Sequence, residues 1–233
     1  MISSDTLIAA LPRAQLRHWR DVPVRSVVCD SRLVEPGDLF VAYAGVSVDG
    51  HRFVAQARAA GAVAVVVERM LPELAGVPTA VVPSGREAYA HLQAALHGRP
   101  GRRLRVIGVT GTDGKTTTIR LLAAILGTAG RRVGSVDTVG ARIGDRDADT
   151  GFHTTTPDAD RVQAYLADMV DAGVEYAVLE ATSEGLAQHR VTACEFDVAV
   201  VTNVTHEHLY FHGTYEAYRR AKAMLFRALE TSA

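Results

Sequence analysis

One junction restricts the fold more than any other feature. The apolar run Leu104–Val109 passes through Gly111, Thr112, Asp113, Gly114, Lys115, Thr116 and Thr117 into a stretch of helical period, Lys115–Ala129. A strand that turns through glycines into a helix brings backbone N–H groups and the positive end of the helix dipole to one point, which suits phosphate oxygens. In a loop of this kind Lys115 reaches the β- and γ-phosphates of a nucleotide, and the Thr116 hydroxyl ligates Mg²⁺. The strict GxxxxGK[ST] spacing is not met, because Val109 stands where its first glycine would be; the shorter GTxGKT remains.

On either side of this junction, short β-branched runs alternate with Ala/Leu-rich segments, the pattern of parallel strands joined by helices. The expected fold class is therefore α/β. In the first part, strands are expected at Ser26–Cys29, Asp38–Ala42, Ala62–Glu68 and Thr79–Val82, with helices at His51–Ala60 and Arg86–Leu96, the latter capped by Ser84. His97–Arg103, rich in Gly, Pro and Arg, reads as a linker. After the phosphate loop come a hairpin-like stretch (Val133–Ile143), an exposed polar loop (Gly144–Gly151), a helix (Ala159–Ala172) and a buried strand (Tyr176–Glu180). A short helix (Glu184–His189), a second buried strand (Asp197–Thr202) and a helix (Thr214–Leu229) follow. Two domains are expected: a small α/β domain over 1–98, and a parallel sheet with flanking helices over 99–233 that has too few strands to be a whole nucleotide-binding sheet.

Composition narrows the classes. Apolar residues form 48% and charged residues 22% of the 233, a globular balance. The net charge of −1 gives no basic footprint for nucleic acid. No apolar run reaches the roughly 18 residues of a membrane span. Met1–Arg20 lacks the apolar core of a secretory signal. Cys29 and Cys194 have no metal-site spacing and read as reduced thiols of a cytoplasmic protein.

The run TGTDGKTT resembles the ATP loop of the Mur ligases and folylpolyglutamate synthetases, TGTNGKT[ST], with Asp113 in place of the usual Asn. Other stretches are similar to one Mur ligase branch, the UDP-N-acetylmuramoyl-tripeptide synthetases. Asp30-Ser31-Arg32, Gly37-Asp38-Leu39-Phe40-Val41-Ala42 and Asp49-Gly50-His51-Arg52-Phe53 look like its UDP-binding N-terminal domain. Thr155-Thr156-Pro157 resembles its TTP motif. Leu179–Leu186 sits where the family shows EVSSHAL, with Glu184 in place of histidine. Thr202–Thr214 resembles TNLTRDHLDYHGT, with Tyr210 in place of aspartate, and Tyr218–Phe226 matches YxxAKxxLF.

The resemblance implies a site. Gly111, Thr112, Asp113, Gly114, Lys115, Thr116 and Thr117 would hold ATP. Lys115, Glu180, His208 and Lys222 would form the catalytic set. Thr116, Glu180, His208 and Lys222, the last as an N6-carboxylysine carbamate, would bind Mg²⁺. Ser31, Val46, Ser47 and Val48 would hold the uridine, while Thr155, Thr156, Ser183, Gln188 and Arg190 would contact the muramoyl peptide. Without the resemblance, Glu180 is a carboxylate leaving a strand end, Lys222 a lysine on a helix, and the histidines His206, His208 and His212 an incomplete zinc set.

The implied activity is ATP-dependent amide formation in peptidoglycan precursor synthesis, adding meso-diaminopimelate or L-lysine to UDP-MurNAc-L-Ala-D-Glu by way of an acyl phosphate. A cytoplasmic monomer without nucleic-acid or membrane partners is expected. The amino-acid-selecting C-terminal domain is expected beyond Ala233, and this segment alone is expected to be inactive. Two alternatives remain: a fragment that binds UDP-sugar or ATP without turnover, and a folylpolyglutamate synthetase-type ligase, which would lack the DSR…DGHRF domain.

Overall fold

A computed structural model describes residues 1–45, 48–148, 155–205 and 209–230. The chain forms two compact units, Met1–Leu96 and His97–Ala233.

In the first unit β1 (Ile2–Ser3), α1 (Ser4–Ile8), β2 (Gln15–Arg17) and β3 (Pro23–Val24) precede β4 (Val27–Val28), β5 (Leu39–Val41), α2 (Val54–Ala59), β6 (Ala64–Val67), β7 (Thr79–Val81) and α3 (Gly85–Leu96). The five-stranded sheet has the order β2-β7-β6-β5-β4; all its pairs are parallel except β2 with β7. The expected strands and helices are present. The elements before residue 25 have no counterpart among them, because strands of two or three residues and a helix of five are too short to show a period. Phe40, Val65 and Val67 pack with Val54, Ala57 and Leu74 on one face. On the other, α3 lies against β4, β5 and β6. Ser84 caps α3 by accepting the Glu87 N–H at 3.3 Å.

A polar network pins the turn from β5 into α2. The Glu68 N–H donates to His51 Nε2 at 3.0 Å, so the buried ring carries its proton on Nδ1 and donates it to Asp49 Oδ1 at 2.6 Å. Arg69 donates to Asp49 Oδ2 at 2.6 Å. Arg69, then the His51 side chain and N–H, hold the Asp49 carboxyl well below its ordinary 3.8. A depressed carboxylate contributes stability above its unfolded value, and that contribution is lost as pH falls through the folded value. Acidification below 3.8 is therefore expected to weaken this unit progressively, and Asp49→Asn to flatten the dependence. Thermal melts followed by fluorescence of Trp19, the one tryptophan of the chain, check this unit selectively; parallel pH profiles for the two proteins would contradict it.

The second unit contains β8 (Arg105–Thr110), α4 (Lys115–Thr128), β9 (Val133–Asp137), β10 (Gly140–Ile143), β11 (Arg146–Ala148), α5 (Ala159–Asp171), β12 (Tyr176–Glu180), α6 (Ser183–Ala187), β13 (Val198–Val201), α7 (Leu209–His212) and α8 (Tyr215–Glu230). Its sheet runs β11-β10-β9-β12-β8-β13; β9, β12, β8 and β13 are parallel, and β10 and β11 extend it antiparallel. Alternate residues serve opposite faces, as the pleat requires. Val106, Ala177 and Leu179 join the core with Leu166, Met169 and Leu225 of α5 and α8, while Ile107, Val109 and Val178 pack with Ile119 of α4.

Three expectations are corrected. Arg146–Ala148, within the expected polar loop, pairs with β10 as a strand; its alternating charges hid a solvated hairpin arm. The expected linker is packed: Pro100–Arg103 is a 3₁₀ turn, Pro100 and Gly101 are buried, and Glu195 holds Arg99 and Arg102. The β13 strand is an edge rather than a buried strand among the described residues, with Val198 and Val201 each 46% exposed. An apolar run has the same pattern in both settings.

Candidate functional site

The parallel strands all end on one edge of the sheet, the edge at which open α/β sheets present ligand-binding groups. There β8 runs into the glycine loop, β12 ends on Glu180, β9 turns at Thr138, and β13 continues into Thr202–Thr205. A cavity of about 480 Å³ opens between these ends, lined by the loop Thr112–Thr117, by Thr138 and Glu180, and by Thr155, Thr156, Thr182, Ser183, Glu184, Arg190 and Tyr210.

The loop is zipped to the segment after β13. Thr112 N–H donates to Asn203 O at 2.9 Å, Asp113 N–H to Asn203 Oδ1 at 3.1 Å, and Thr202 Oγ1 to Asp113 O at 2.7 Å. A Cβ at Gly111 would overlap the Thr202 hydroxyl, so only glycine permits this approach. Gly114 stands at φ +77 as the N-cap of α4, a left-handed conformation that other residues adopt at a cost of about 1–2 kcal/mol. No side chain caps α4, which leaves its first-turn N–H groups for an anion in the cavity. Asp113 is exposed, and the contacts described for it are those of its backbone.

Glu180 is the hub. Its side chain is 2% exposed, and its Oε2 accepts from Thr116 Oγ1 at 3.0 Å, Thr138 Oγ1 at 3.1 Å and Thr138 N–H at 3.2 Å. Lys115 donates to Thr112 O at 2.7 Å, and its Nζ stands 3.9 Å from Glu180 Oε1. A carboxylate beside a threonine hydroxyl at the foot of a phosphate loop is a hard-oxygen set, and it fits Mg²⁺.

Behind the loop, α8 presents Tyr218, Ala221, Lys222 and Leu225 inward at helical spacing. Tyr218 Oη lies 2.8 Å from Thr112 Oγ1, which also accepts the Thr205 N–H at 2.9 Å. Lys222, 3% exposed, donates to Gly111 O at 2.5 Å and lies 4.4 Å over the Tyr218 ring. A lysine carbamate keeps one N–H, so the bond to Gly111 O is compatible with either form of the side chain.

The far wall is built on Thr156. Its hydroxyl reaches Glu180 O at 3.0 Å and Thr182 Oγ1 at 2.9 Å, and it accepts the Thr182 N–H at 3.2 Å. Thr156 is thus spent on tying β12 to α6, whose N-cap is Thr182. Arg190 donates to Thr156 O and to Gln188 Oε1, and its Nε lies 3.1 Å from Asp158 Oδ1. Its guanidinium is set in place at the cavity wall, while Thr155 and Ser183 line the cavity. Glu184 and Tyr210, the two positions that depart from the family pattern, meet: Tyr210 Oη donates to Glu184 Oε1 at 2.7 Å.

Lys115, Thr116, Thr117, Glu180, Thr155, Thr156, Ser183 and Arg190 are thus brought to one cavity, with Lys222 directly beneath the loop. Ser31 and Val48 belong to the first unit, where Ser31 Oγ donates to Gln56 Oε1 at 3.2 Å and Val48 is half exposed. Val46, Ser47 and His208 lie outside the described residues. Two residues of the site carried no functional signal in the sequence, Thr138 and Thr182. The turn spacing Asp137-Thr138-Val139-Gly140 and the cap spacing Thr182-x-x-Gly185 are the only marks that point to them.

A parallel sheet whose strand ends carry a glycine loop, a lysine, a threonine and a buried carboxylate defines a nucleotide-binding α/β protein of the phosphate-loop class. The chain belongs to the Mur ligase family: residues 109–233 match the Mur ligase middle domain, and residues 23–97 match a Mur ligase family catalytic domain. A UDP-N-acetylmuramyl-tripeptide synthetase of Roseiflexus sp. (strain RS-1) is 51% identical over 211 residues, covering 88% of this chain and 41% of that protein. A UDP-N-acetylmuramoyl-L-alanyl-D-glutamate–2,6-diaminopimelate ligase of Geobacillus thermodenitrificans is 45% identical over 225 residues, 97% of this chain and 45% of that protein. A solved structure of a ligase of the latter name superposes with a TM-score of 0.74 at 36% identity, over 88% of this chain and 41% of its own. The MurF ligase from Thermotoga maritima in complex with ADP gives 0.53 at 30% identity, over 88% and 43%. The chain spans less than half the length of these relatives. Among the described residues, no helix is long and apolar enough to cross a membrane.

Proposed function

We propose that this chain is the UDP- and ATP-binding portion of a cytoplasmic, monomeric ligase that joins a diamino acid, meso-diaminopimelate or L-lysine, to UDP-MurNAc-L-Ala-D-Glu. Residues 1–98 form the UDP-binding domain, with Ser31 and the Val46-Ser47-Val48 backbone at the uridine; residues 99–233 form the ATP-binding domain. The observation that carries this reading is the convergence of Lys115, Thr116 and Glu180 on one cavity opposite Arg190, in a chain 51% identical to a tripeptide synthetase.

The chemistry follows from charge. The terminal carboxylate of the dipeptide attacks the γ-phosphorus of ATP, the bond to the β-phosphate oxygen breaks, and ADP leaves. The amine of the diamino acid then attacks the acyl phosphate, loses a proton, and expels inorganic phosphate as the amide forms. Two anions must meet in the first step, so positioning and neutralisation carry the catalysis. Lys115 swings from Thr112 O to the phosphates, and the first-turn amides of α4 receive the phosphate oxygens. Arg190, Thr155, Ser183 and Gln188 hold the muramoyl peptide, with Thr156 fixing the wall behind them. Thr116 and Glu180, together with His208 and carbamylated Lys222, would hold Mg²⁺, which would supply further neutralisation of the phosphoryl oxygens. The test is calorimetric titration of the chain with ADP and with UDP-MurNAc-L-Ala-D-Glu. Magnesium-linked binding of the first and saturable binding of the second are expected; heats of dilution alone for both would overturn the reading.

A further inference from the structure

Glu180 accepts its hydrogen bonds unevenly. Three donors, from Thr116 and from both the side chain and the backbone of Thr138, crowd onto Oε2, while Oε1 faces Lys115 at 3.9 Å. An oxygen has two lone-pair directions, so one of the three donors is redundant. Thr138 cannot easily be the one to leave. It sits in the two-residue turn between Asp137 and Gly140, which pair across the β9–β10 hairpin, and Asp137 Oδ1 locks that turn by accepting the Val139 N–H at 2.7 Å. Thr116 reaches Oε2 through its side chain alone, whereas Thr138 also donates the backbone N–H that this turn fixes.

We propose that Thr138 is a positioning residue for Glu180. Its two donors fix Oε2 from the hairpin side, so that Oε1 is presented to the cavity and Thr116 is free to release Glu180 when a metal–nucleotide complex enters. The inference rests on the nucleotide reading above but concerns a residue outside the phosphate loop. It also accounts for the antiparallel extension of the sheet, since β10 closes the turn that holds the carboxylate at the end of β12.

The experiment uses the whole chain and titrates ADP at a series of Mg²⁺ concentrations, with wild type, Thr138→Val, Thr138→Ala and Thr138→Ser. Thr138 is exposed at a turn, so the variants are expected to melt close to wild type. The side-chain bond to a carboxylate is charge-assisted, and its loss should raise the Mg²⁺ concentration needed for half of the magnesium-linked gain in affinity by about tenfold. Affinity for ADP without Mg²⁺ should stay within about twofold of wild type, and Thr138→Ser should restore the wild-type magnesium dependence. Three results overturn the role of Thr138: a valine variant with wild-type magnesium dependence, an equal loss with and without Mg²⁺, or failure of serine to rescue. Absence of any magnesium-linked ADP binding in the wild type strikes instead at the nucleotide reading. Should Thr138→Val not fold, the alanine and serine variants carry the same comparison.

Discussion

Replacing Lys115 by alanine is expected to weaken binding of the magnesium complex of ADP by roughly 10- to 100-fold, the worth of one to two charge-assisted hydrogen bonds. Lys115 begins α4, and its ammonium bonds to Thr112 O within the loop and faces Glu180 at 3.9 Å. The first lies within the loop and the second, to the end of β12, is too long for a hydrogen bond, so neither supplies the short hydrogen bonds that tie the loop to the rest of the sheet. Those come from Asn203, Thr202 and Tyr218, so alanine should leave the fold intact and remove only the cation. It also removes the charge beside the buried Glu180. The lost affinity should therefore be largest for the most highly charged nucleotide, ATP above ADP. Calorimetry on the two proteins at one ionic strength reads this directly. An unchanged dissociation constant, with the variant folded, would mean that phosphates do not reach this loop.

Replacing Tyr218 by alanine is expected to destabilise the second unit by about 3–5 kcal/mol. The ring is fully buried on α8, its hydroxyl lies 2.8 Å from Thr112 Oγ1, and the Lys222 ammonium rests 4.4 Å above it. Truncation removes an aromatic from the core and takes away both the polar partner of the loop threonine and the π face under a buried cation. Tyr218→Phe keeps the ring and loses the hydroxyl, so about 1 kcal/mol is expected. The first variant should lower the melting temperature by on the order of 10 °C, and the second by a few degrees. Denaturant titration separates the two effects; equal stability losses would show that the hydroxyl, rather than the packing of the ring, dominates here.

The meeting of Glu184 with Tyr210 shows how a departure from a family pattern reads differently in three dimensions. In the sequence the two stand 26 positions apart, and each looks like an isolated change, histidine to glutamate and aspartate to tyrosine. In the structure an acceptor and a donor have appeared at facing positions on the cavity rim. A hydrogen bond needs one of each, so the pair links α6 to the segment after β13.

Much of the fold was legible because its signals are local. A strand that turns through Gly111 and Gly114 into a helix is written in consecutive residues, and the boundaries of Tyr176–Glu180 follow from a run of apolar residues closed by a carboxylate. Burial on alternate faces is a matter of period two. The strand at Arg146–Ala148 was hidden, since its stability comes from pairing with β10 rather than from its own apolar content. The edge position of β13 was hidden too, because an apolar strand reads alike whether one neighbour flanks it or two.

By itself the sequence determined which chemical groups stand at the strand ends: the loop amides and lysine, the threonine after it, and the glutamate that closes β12. Chain order and side-chain type suffice for that. Only the tertiary structure decided which oxygen of Glu180 is held and which is offered, that the Thr156 hydroxyl is consumed in tying β12 to α6, and that Thr138 reaches the carboxylate at all. Those outcomes depend on hydrogen-bond geometry between segments more than 20 residues apart, and direction over such distances is set by how the sheet and its helices pack.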